Sequence, residues 1–416
     1  MPPESVRQAL NQSRWLSIVG IGEDGAQGLG DNARSAITDA AVVFGGKRHL
    51  ELAAALIKGE ARSWPTPFDA AMRDVVALRG RRVCVLASGD PFFYGVGVTL
   101  SRHVGSDEFT TYPSPSAFSL AASRLGWPLQ DIETVSLHGR PLDLIRSLLH
   151  PGRRIIALTS DEKGPQELAE LLTEGGFGQS GLTVLEALGG EAEMMRACTA
   201  NEFALQDINV LNVVAVEVIA DADARILPRG FGLADALFEH DGQITKREIR
   251  ALTLSALSPR RGELLWDIGA GSGSISIEWM LADPSMRATA IEAHAERAAR
   301  IRRNAARFGV PGLVLIEGEA PMALKGLPQP DAIFIGGGGS ESGVFDAAVK
   351  ALKPGGRLVA NAVTLEMEVV LLAAQAKLGG NLIRMDVSRA APVGSMQGWK
   401  PAMPVTQWSW TKGMQS

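Results

Sequence analysis

Short apolar runs recur along the whole chain. Each ends in glycine or proline, and most are followed by apolar residues at helical spacing. Residues 15–22 form the first such run and end in Gly20-Ile-Gly22. A helical pattern near 32–40 leads to a second run at 41–44, and a third at 82–89 breaks into Asp90-Pro91, where proline cannot continue a central strand. A short strand at 109–112 precedes Pro113-Ser-Pro-Ser116 and a helix over 116–125, for which Ser116 is a suitable N-cap. Runs at 134–137, 154–158, 182–187 and 212–218, with a helix at 166–172, continue the alternation. The pattern predicts an α/β fold for this half.

The second half repeats the pattern. A buried strand is expected at 264–268, followed by a turn carrying Gly269, Gly271 and Gly273 and then a helix. Strands are expected at 288–291, 313–316, 331–335 and 357–360, with a helix over 293–308 whose many arginines read as a solvated face. The tail, at 384–387 and 405–411, is expected to form a closing antiparallel pair. A polar stretch with one proline, 221–229, reads as the linker between domains 15–220 and 230–416, and residues 1–14 read as a disordered N-terminus.

Bulk properties narrow the class. At 416 residues the chain calls for two or three domains, and 46% hydrophobic with 21% charged residues is ordinary for a globular protein. A net charge of −5, with no basic stripe carrying interleaved aromatics, argues against nucleic acid as a partner. Only two cysteines are present, which fits a reducing, cytoplasmic home. The six histidines form no metal-ligand spacing, so no metal is expected. Neither a signal pattern nor a membrane-length apolar run is seen, and no membrane partner is expected.

The strand–turn–helix at 264–278 carries the most specific chemistry. Its turn lets a ligand approach bare backbone, and the helix behind it offers free N–H groups. Serine at position 274 departs from the dinucleotide fingerprint, which wants glycine or alanine there. Asp267-x-Gly269-Ala270-Gly271-Ser272-Gly273 instead resembles motif I of the class I S-adenosylmethionine (SAM) methyltransferases. That resemblance implies that Asp267 organises the turn near the cationic methionine end of SAM. Glu292, at the end of the next strand, stands where an acidic residue takes ribose hydroxyls. By the same resemblance Glu319 and Ala320, in Gly318-Glu-Ala-Pro321, contact the adenine, and Gly336 and Gly337 open a glycine run beside the transferred methyl group.

In the first half, Gly20-Ile-Gly22, Ser88-Gly-Asp-Pro91 and Pro115-Ser-Ala117 resemble the tetrapyrrole methylase family in type and order over about residues 15–220. The resemblance implies a two-lobed fold with SAM held by main chain near Gly20, Gly22, Gly89, Asp90, Ser116 and Ala117. Many members have glycine where this chain has Ser88. Leu137-His-Gly-Arg-Pro141 looks most like the branch that methylates precorrin at C5, making His138 and Arg140 candidates for substrate contact. Thr245-Lys-x-Glu-Ile-Arg250 and the glycine motifs of the second half resemble the decarboxylating precorrin methylases that act at C15. Thr245 is assigned there to SAM, although capping of the following helix would also explain the Thr245–Glu248 run. Arg229, Lys246 and Arg250 are candidates for gripping substrate carboxylates.

The two resemblances together imply a Rossmann-like class I domain behind a tetrapyrrole methylase fold. They imply two SAM sites, a precorrin substrate methylated at C5 and C15 with loss of CO2, and a homo-oligomer. An RNA or protein methyltransferase, or a SAM-binding protein with one inactive domain, are the alternatives.

Overall fold

The structure is a computed structural model, and it describes residues 14–65 and 69–413. The expected disorder over 1–14 falls, apart from its last residue, outside the described residues. The chain divides into two compact units. One runs through Leu142 and resumes over His150–Arg225; the other comprises Asp143–Leu149 and the chain from Ile226 onward. Within 221–229, the N–H groups of Asp221 and Arg225 donate to the carbonyls of Gly176 and Gly175, while Leu227 is buried in the second unit's core.

The first unit holds two five-stranded sheets. In one, β1 (Leu16–Ile21), β2 (Val42–Gly45), β3 (Glu60–Ser63), β4 (Val83–Ser88) and β5 (Phe109–Tyr112) are all parallel, in the order β3-β2-β4-β1-β5. Both faces of β1 and β4 are covered, which is why their sequences are continuous apolar runs rather than alternating ones. The connection leaving β1 runs to one side of the sheet and that leaving β4 to the other. A crevice therefore opens beyond the carboxyl ends of these two neighbours.

The other sheet departs from the expected strand–helix alternation. β6 (Glu133–Ser136) and β7 (Arg154–Leu158) are parallel, but β8 (Gly181–Glu186), β9 (Met194–Thr199) and β10 (Asn212–Glu217) join antiparallel in the order β6-β7-β10-β8-β9. β9 was not expected from the sequence. Its residues Met194, Met195 and Ala197 lie at an edge with little burial, so no apolar periodicity marks it.

The second unit is built on a seven-stranded sheet. β11 (Leu264–Ile268), β12 (Arg287–Glu292), β13 (Val314–Glu317), β14 (Ala332–Ile335) and β15 (Arg357–Ala362) are parallel in the order β13-β12-β11-β14-β15. Beyond β15 lie β16 (Asn381–Met385), a separate hairpin of β17 (Ser388–Val393) and β18 (Met396–Pro401), and β19 (Val405–Thr411). β19 inserts antiparallel between β15 and β16, with Arg384 opposite Thr406, so the expected closing pair forms. Strand order reverses between β11 and β14, which places the second crevice at the ends of those strands. Trp266, Trp408, Ile333 and Leu358 anchor the core on one face of the sheet, and Trp279, Leu254 and Phe334 on the other.

Candidate functional sites at the ends of two parallel sheets

The first crevice encloses a cavity of about 420 Å3. Its floor depends on two glycines. A Cβ on Gly20 would lie 1.8 Å from the Gly89 carbonyl oxygen. Gly89 itself has φ near +54° and would meet the Pro115 carbonyl at 2.9 Å. With hydrogens in those places, the turn after β4 docks onto β1: Gly89 N–H donates to Ile21 and Ser114 N–H to Gly89. Ser114 Oγ adds a 2.8 Å bond to the Gly20 carbonyl. Gly20 thus shapes the site from beneath, outside the lining, whereas Gly22, Gly89, Asp90, Ser116, Ala117 and His138 line the cavity. Ser116 caps the helix Ala117–Leu125, its Oγ accepting from Ser119 N–H at 3.1 Å.

His138 faces the Thr159 carbonyl at 3.2 Å through Nδ1, so that nitrogen carries the proton. Arg140 is placed differently from its expected role. It is exposed and outside the lining, and its side chain makes a 3.4 Å contact to the Ser136 carbonyl.

Sequence reasoning missed a charged group on the cavity wall. Arg48 pairs with Glu23 and donates to Ser88 Oγ at 3.0 Å, and His49 Nε2 lies 2.8 Å from the same hydroxyl. Because a guanidinium only donates, the 3.2 Å approach of Arg48 Nη2 makes His49 Nε2 an acceptor. Burial, and then the charge of Arg48, lower the His49 pKa to about 4, so this imidazole is neutral at physiological pH. The signal was Gly45-Gly46 at the end of β2, which opens the short helix bearing both residues. Ser88, the departure from the tetrapyrrole methylase pattern, is the hydroxyl that joins them.

The second crevice is larger, about 900 Å3. Gly269, Ala270 and Gly271 follow β11 along its edge, and Glu292, Glu319, Ala320, Gly336 and Gly337 come from the ends of the neighbouring strands. A Cβ on Gly269 would lie within 2.6–2.7 Å of Gly337 backbone atoms, so the two glycine loops close on each other because Gly269 lacks a side chain. Glu292 is fixed at both oxygens, accepting from Gly271 N–H at 2.8 Å and His294 N–H at 3.0 Å. Ser272 and Gly273 lie behind this edge. The Ser272 carbonyl accepts from Asn304, and Gly273 starts the helix Ser274–Leu281.

Asp267 is also behind the edge and buried. Oδ2 accepts from Ser276 N–H at 3.1 Å and Ser276 Oγ at 2.7 Å, while Oδ1 has no hydrogen-bond partner among the described residues. Burial dominates, with the charge of Glu292 adding to it, and the Asp267 pKa rises to about 6. An acid so placed lacks a positive partner, and a sulfonium or ammonium in the crevice supplies one. The residues present therefore fit SAM.

Three candidates for substrate contact part company here. Lys246 lines the cavity, at the start of the helix Arg247–Leu257. Arg229 is exposed and outside the lining. Arg250 corrects its expectation. It is fully buried, with Nε 2.5 Å from Glu278 Oε1 and Nη1 3.1 Å from Asp235, and its guanidinium stacks on Phe238. Further bonds to the Thr245 and Leu233 carbonyls bring four of its five donors into use. A guanidinium so enclosed cannot reach a substrate. It holds the strap 232–246, and with it Thr245 and Lys246, against the domain. Capping by Thr245 is not observed: the N-cap of the helix is Lys246, with no side-chain cap bond, which leaves Thr245 to line the cavity.

The arginines of the helix Ala295–Arg307 do more than solvate a face. Arg297 and Arg300 hold Asp241 at 3.0 and 3.1 Å, and Arg303 holds Glu239. The Gln243 N–H, and after it Arg297 and Arg300, keep the Asp241 carboxyl far below its ordinary range. Arg389 and Met403, from the region of the β17–β18 hairpin, also line the cavity, and Arg389 pairs with Glu248. No motif marked them, because the hairpin contributes by position rather than by pattern.

Family models match both units, a tetrapyrrole (corrin/porphyrin) methylase over residues 16–204 and a precorrin methyltransferase domain over 236–412. A precorrin-6Y C(5,15)-methyltransferase [decarboxylating] from Sinorhizobium is 67% identical over 96% of this chain and 97% of its own length. The chain belongs to the precorrin-6Y C5,15-methyltransferase (decarboxylating) family. Its relative of the same name from Mycobacterium tuberculosis is 44% identical, covering 95% of this chain and all of that one. A cobalt-precorrin-6B C(15)-methyltransferase (decarboxylating) from Salmonella typhimurium is 38% identical over 39% of this chain and 85% of its own length. Family membership makes this chain a SAM-dependent methyltransferase, with each crevice at the carboxyl ends of parallel strands.

Proposed function

We propose that the chain methylates precorrin-6B (precorrin-6Y) at C5 and C15 and removes CO2 from the C12 acetate, giving precorrin-8 in cobalamin biosynthesis. The observation that carries this reading is the pair of crevices, each shaped by glycines that bring bare backbone to the end of a parallel sheet. We assign one SAM to each crevice, C5 methylation to the first unit and C15 methylation with decarboxylation to the second. No resident metal is invoked.

When bound, SAM supplies an activated methyl group on a cationic sulfur. The protein's part is to position and exclude water, because the electron-rich carbons of a reduced tetrapyrrole are already nucleophiles. In the second crevice Asp267 supplies the buried negative charge, Glu292 stands ready for ribose hydroxyls, and the Gly269–Gly337 contact fixes the width of the slot. Lys246 offers a cation to a substrate carboxylate. In the first crevice Gly89, Asp90, Ser116 and Ala117 present main chain to the cofactor, and His138 faces substrate.

A domain order of 15–220, a linker at 221–229 and 230–416 belongs to this reading. A cytoplasmic home is supported by two unpaired cysteines. Among the described residues, no helix is long and apolar enough to cross a membrane. A homo-oligomer is supported by the helix Leu365–Leu378, which leaves Leu365, Val369 and Leu372 exposed.

The test is anaerobic incubation with methyl-labelled SAM and precorrin-6B. Two labels gained per tetrapyrrole with one CO2 lost is the expected result. Label appearing in RNA or protein, with the tetrapyrrole unchanged, would overturn it. SAM binding at both sites with no transfer to any substrate would favour a sensor.

A further inference from the structure

Tyr94 is a bulky residue held at φ near +58°, a strained conformation for such a side chain. The turn that imposes it is built by Asp90-Pro91. Asp90 Oδ1 accepts from Phe92 N–H at 2.8 Å, the Asp90 carbonyl accepts from Phe93 N–H, and the Pro91 carbonyl accepts from Gly97 N–H. One result is that three consecutive aromatic side chains part company. Phe92 turns away and stacks on Phe109, with centroids 5.8 Å apart. Phe93 and Tyr94 turn to the first cavity and line it, yet stay 41% and 50% exposed.

These two rings are rigidly backed. Phe93 meets the buried Phe118 edge-on at 4.9 Å, Tyr94 lies 5.7 Å from the same ring, and the two are 5.0 Å from each other. An anchored, half-exposed aromatic pair, kept at the cost of backbone strain, has the character of a binding surface. Its place selects the ligand. Phe93 and Tyr94 follow the Gly89-Asp90 turn directly, so the rings stand beside the main chain assigned to the cofactor. A cavity of about 420 Å3 is near the lower end for small-ligand sites, so it holds one molecule of nucleoside size and leaves a macrocycle at its mouth.

We propose that Phe93 and Tyr94 are the surface on which the conjugated macrocycle lies while C5 is methylated. This rests on the assignment of C5 methylation to the first unit. The stacking is sequence-local, needs the ring rather than the phenolic hydroxyl, and is separate from cofactor binding.

The experiment uses the full chain carrying Tyr94→Asn, because asparagine tolerates the left-handed backbone and removes the ring. Tyr94→Phe keeps the ring. Rates of C5 methyl gain are measured against tetrapyrrole concentration, with SAM affinity measured separately. C15 methylation and CO2 loss serve as a control within the same molecule. Expected for Tyr94→Asn is a rise in KM for the tetrapyrrole of about tenfold, from the loss of one ring–ring contact, with SAM affinity and decarboxylation unchanged. Tyr94→Phe is expected to behave as wild type. The proposal is overturned if Tyr94→Asn leaves KM unchanged, if it weakens SAM binding equally, or if Tyr94→Phe is as impaired as Tyr94→Asn. A wild-type chain that leaves C5 unmethylated while performing the C15 reaction overturns the underlying assignment, and this inference with it.

Discussion

At the scale of single residues, Asp267 is a buried carboxyl with one oxygen satisfied by Ser276 and the other without a partner among the described residues. Its pKa stands near 6, above the ordinary 3.8. The folded protein without ligand therefore holds a proton there between those values that the unfolded chain has lost. The burden on stability is absent below about pH 4 and fully present above about pH 6. A cationic ligand restores the ordinary value, so its binding releases a proton near pH 6. SAM affinity at the second site should fall as pH drops through 6, approaching ~100-fold for a shift of about two units. Titration calorimetry at pH 5 and pH 7.5 checks this. A pH-independent affinity at that site would contradict it, and Asp267→Asn should weaken binding and flatten the profile.

Arg250 yields a second expectation at the same scale. Its charge is neutralised in a dry pocket by Glu278, which is itself bonded to the N–H groups of Gly232 and Leu233. Arg250→Met should destabilise the second unit by about 3–5 kcal/mol, the cost of stranding a buried partner. Denaturant unfolding measures this directly. A cost below 1 kcal/mol would show that the strap 232–246 is held by other contacts.

Between elements, the decisive feature is close approach of loops. Gly269 and Gly337 come from the ends of β11 and β14, and a methyl on Gly269 would collide with backbone rather than with a flexible side chain. Gly269→Ala should therefore abolish SAM binding in the second crevice while leaving the first site's affinity within about twofold, since changes at separate sites with no shared partners act independently. Equilibrium dialysis resolves one remaining SAM per chain if this holds.

Much of this level was legible in the sequence. β1, β4, β11 and β14 announce themselves as apolar runs ending in glycine, because strands covered on both faces have no polar side to show. β3, β9 and the β17–β18 hairpin were not legible. They sit at edges or stand apart, and their exposed residues carry no period. The same cause hid Arg389 and Met403, while Arg250 misled because a motif gives a residue's type and not the direction of its side chain.

Across the whole molecule, two sheets of different topology each end in a crevice that suits a methyl donor, in a chain whose relatives of like name match it over nearly its full length. The two units divide the labour in the reading proposed above. Gly89→Ala tests the first, since its Cβ would meet the Pro115 carbonyl at 2.9 Å, and Gly269→Ala tests the second. The most direct measurement is the product mass spectrum of each variant, incubated anaerobically with SAM and precorrin-6B. The Gly89→Ala chain is expected to add one methyl group and release CO2, and the Gly269→Ala chain to release none. Loss of CO2 from the substrate by the Gly269→Ala chain would contradict that division.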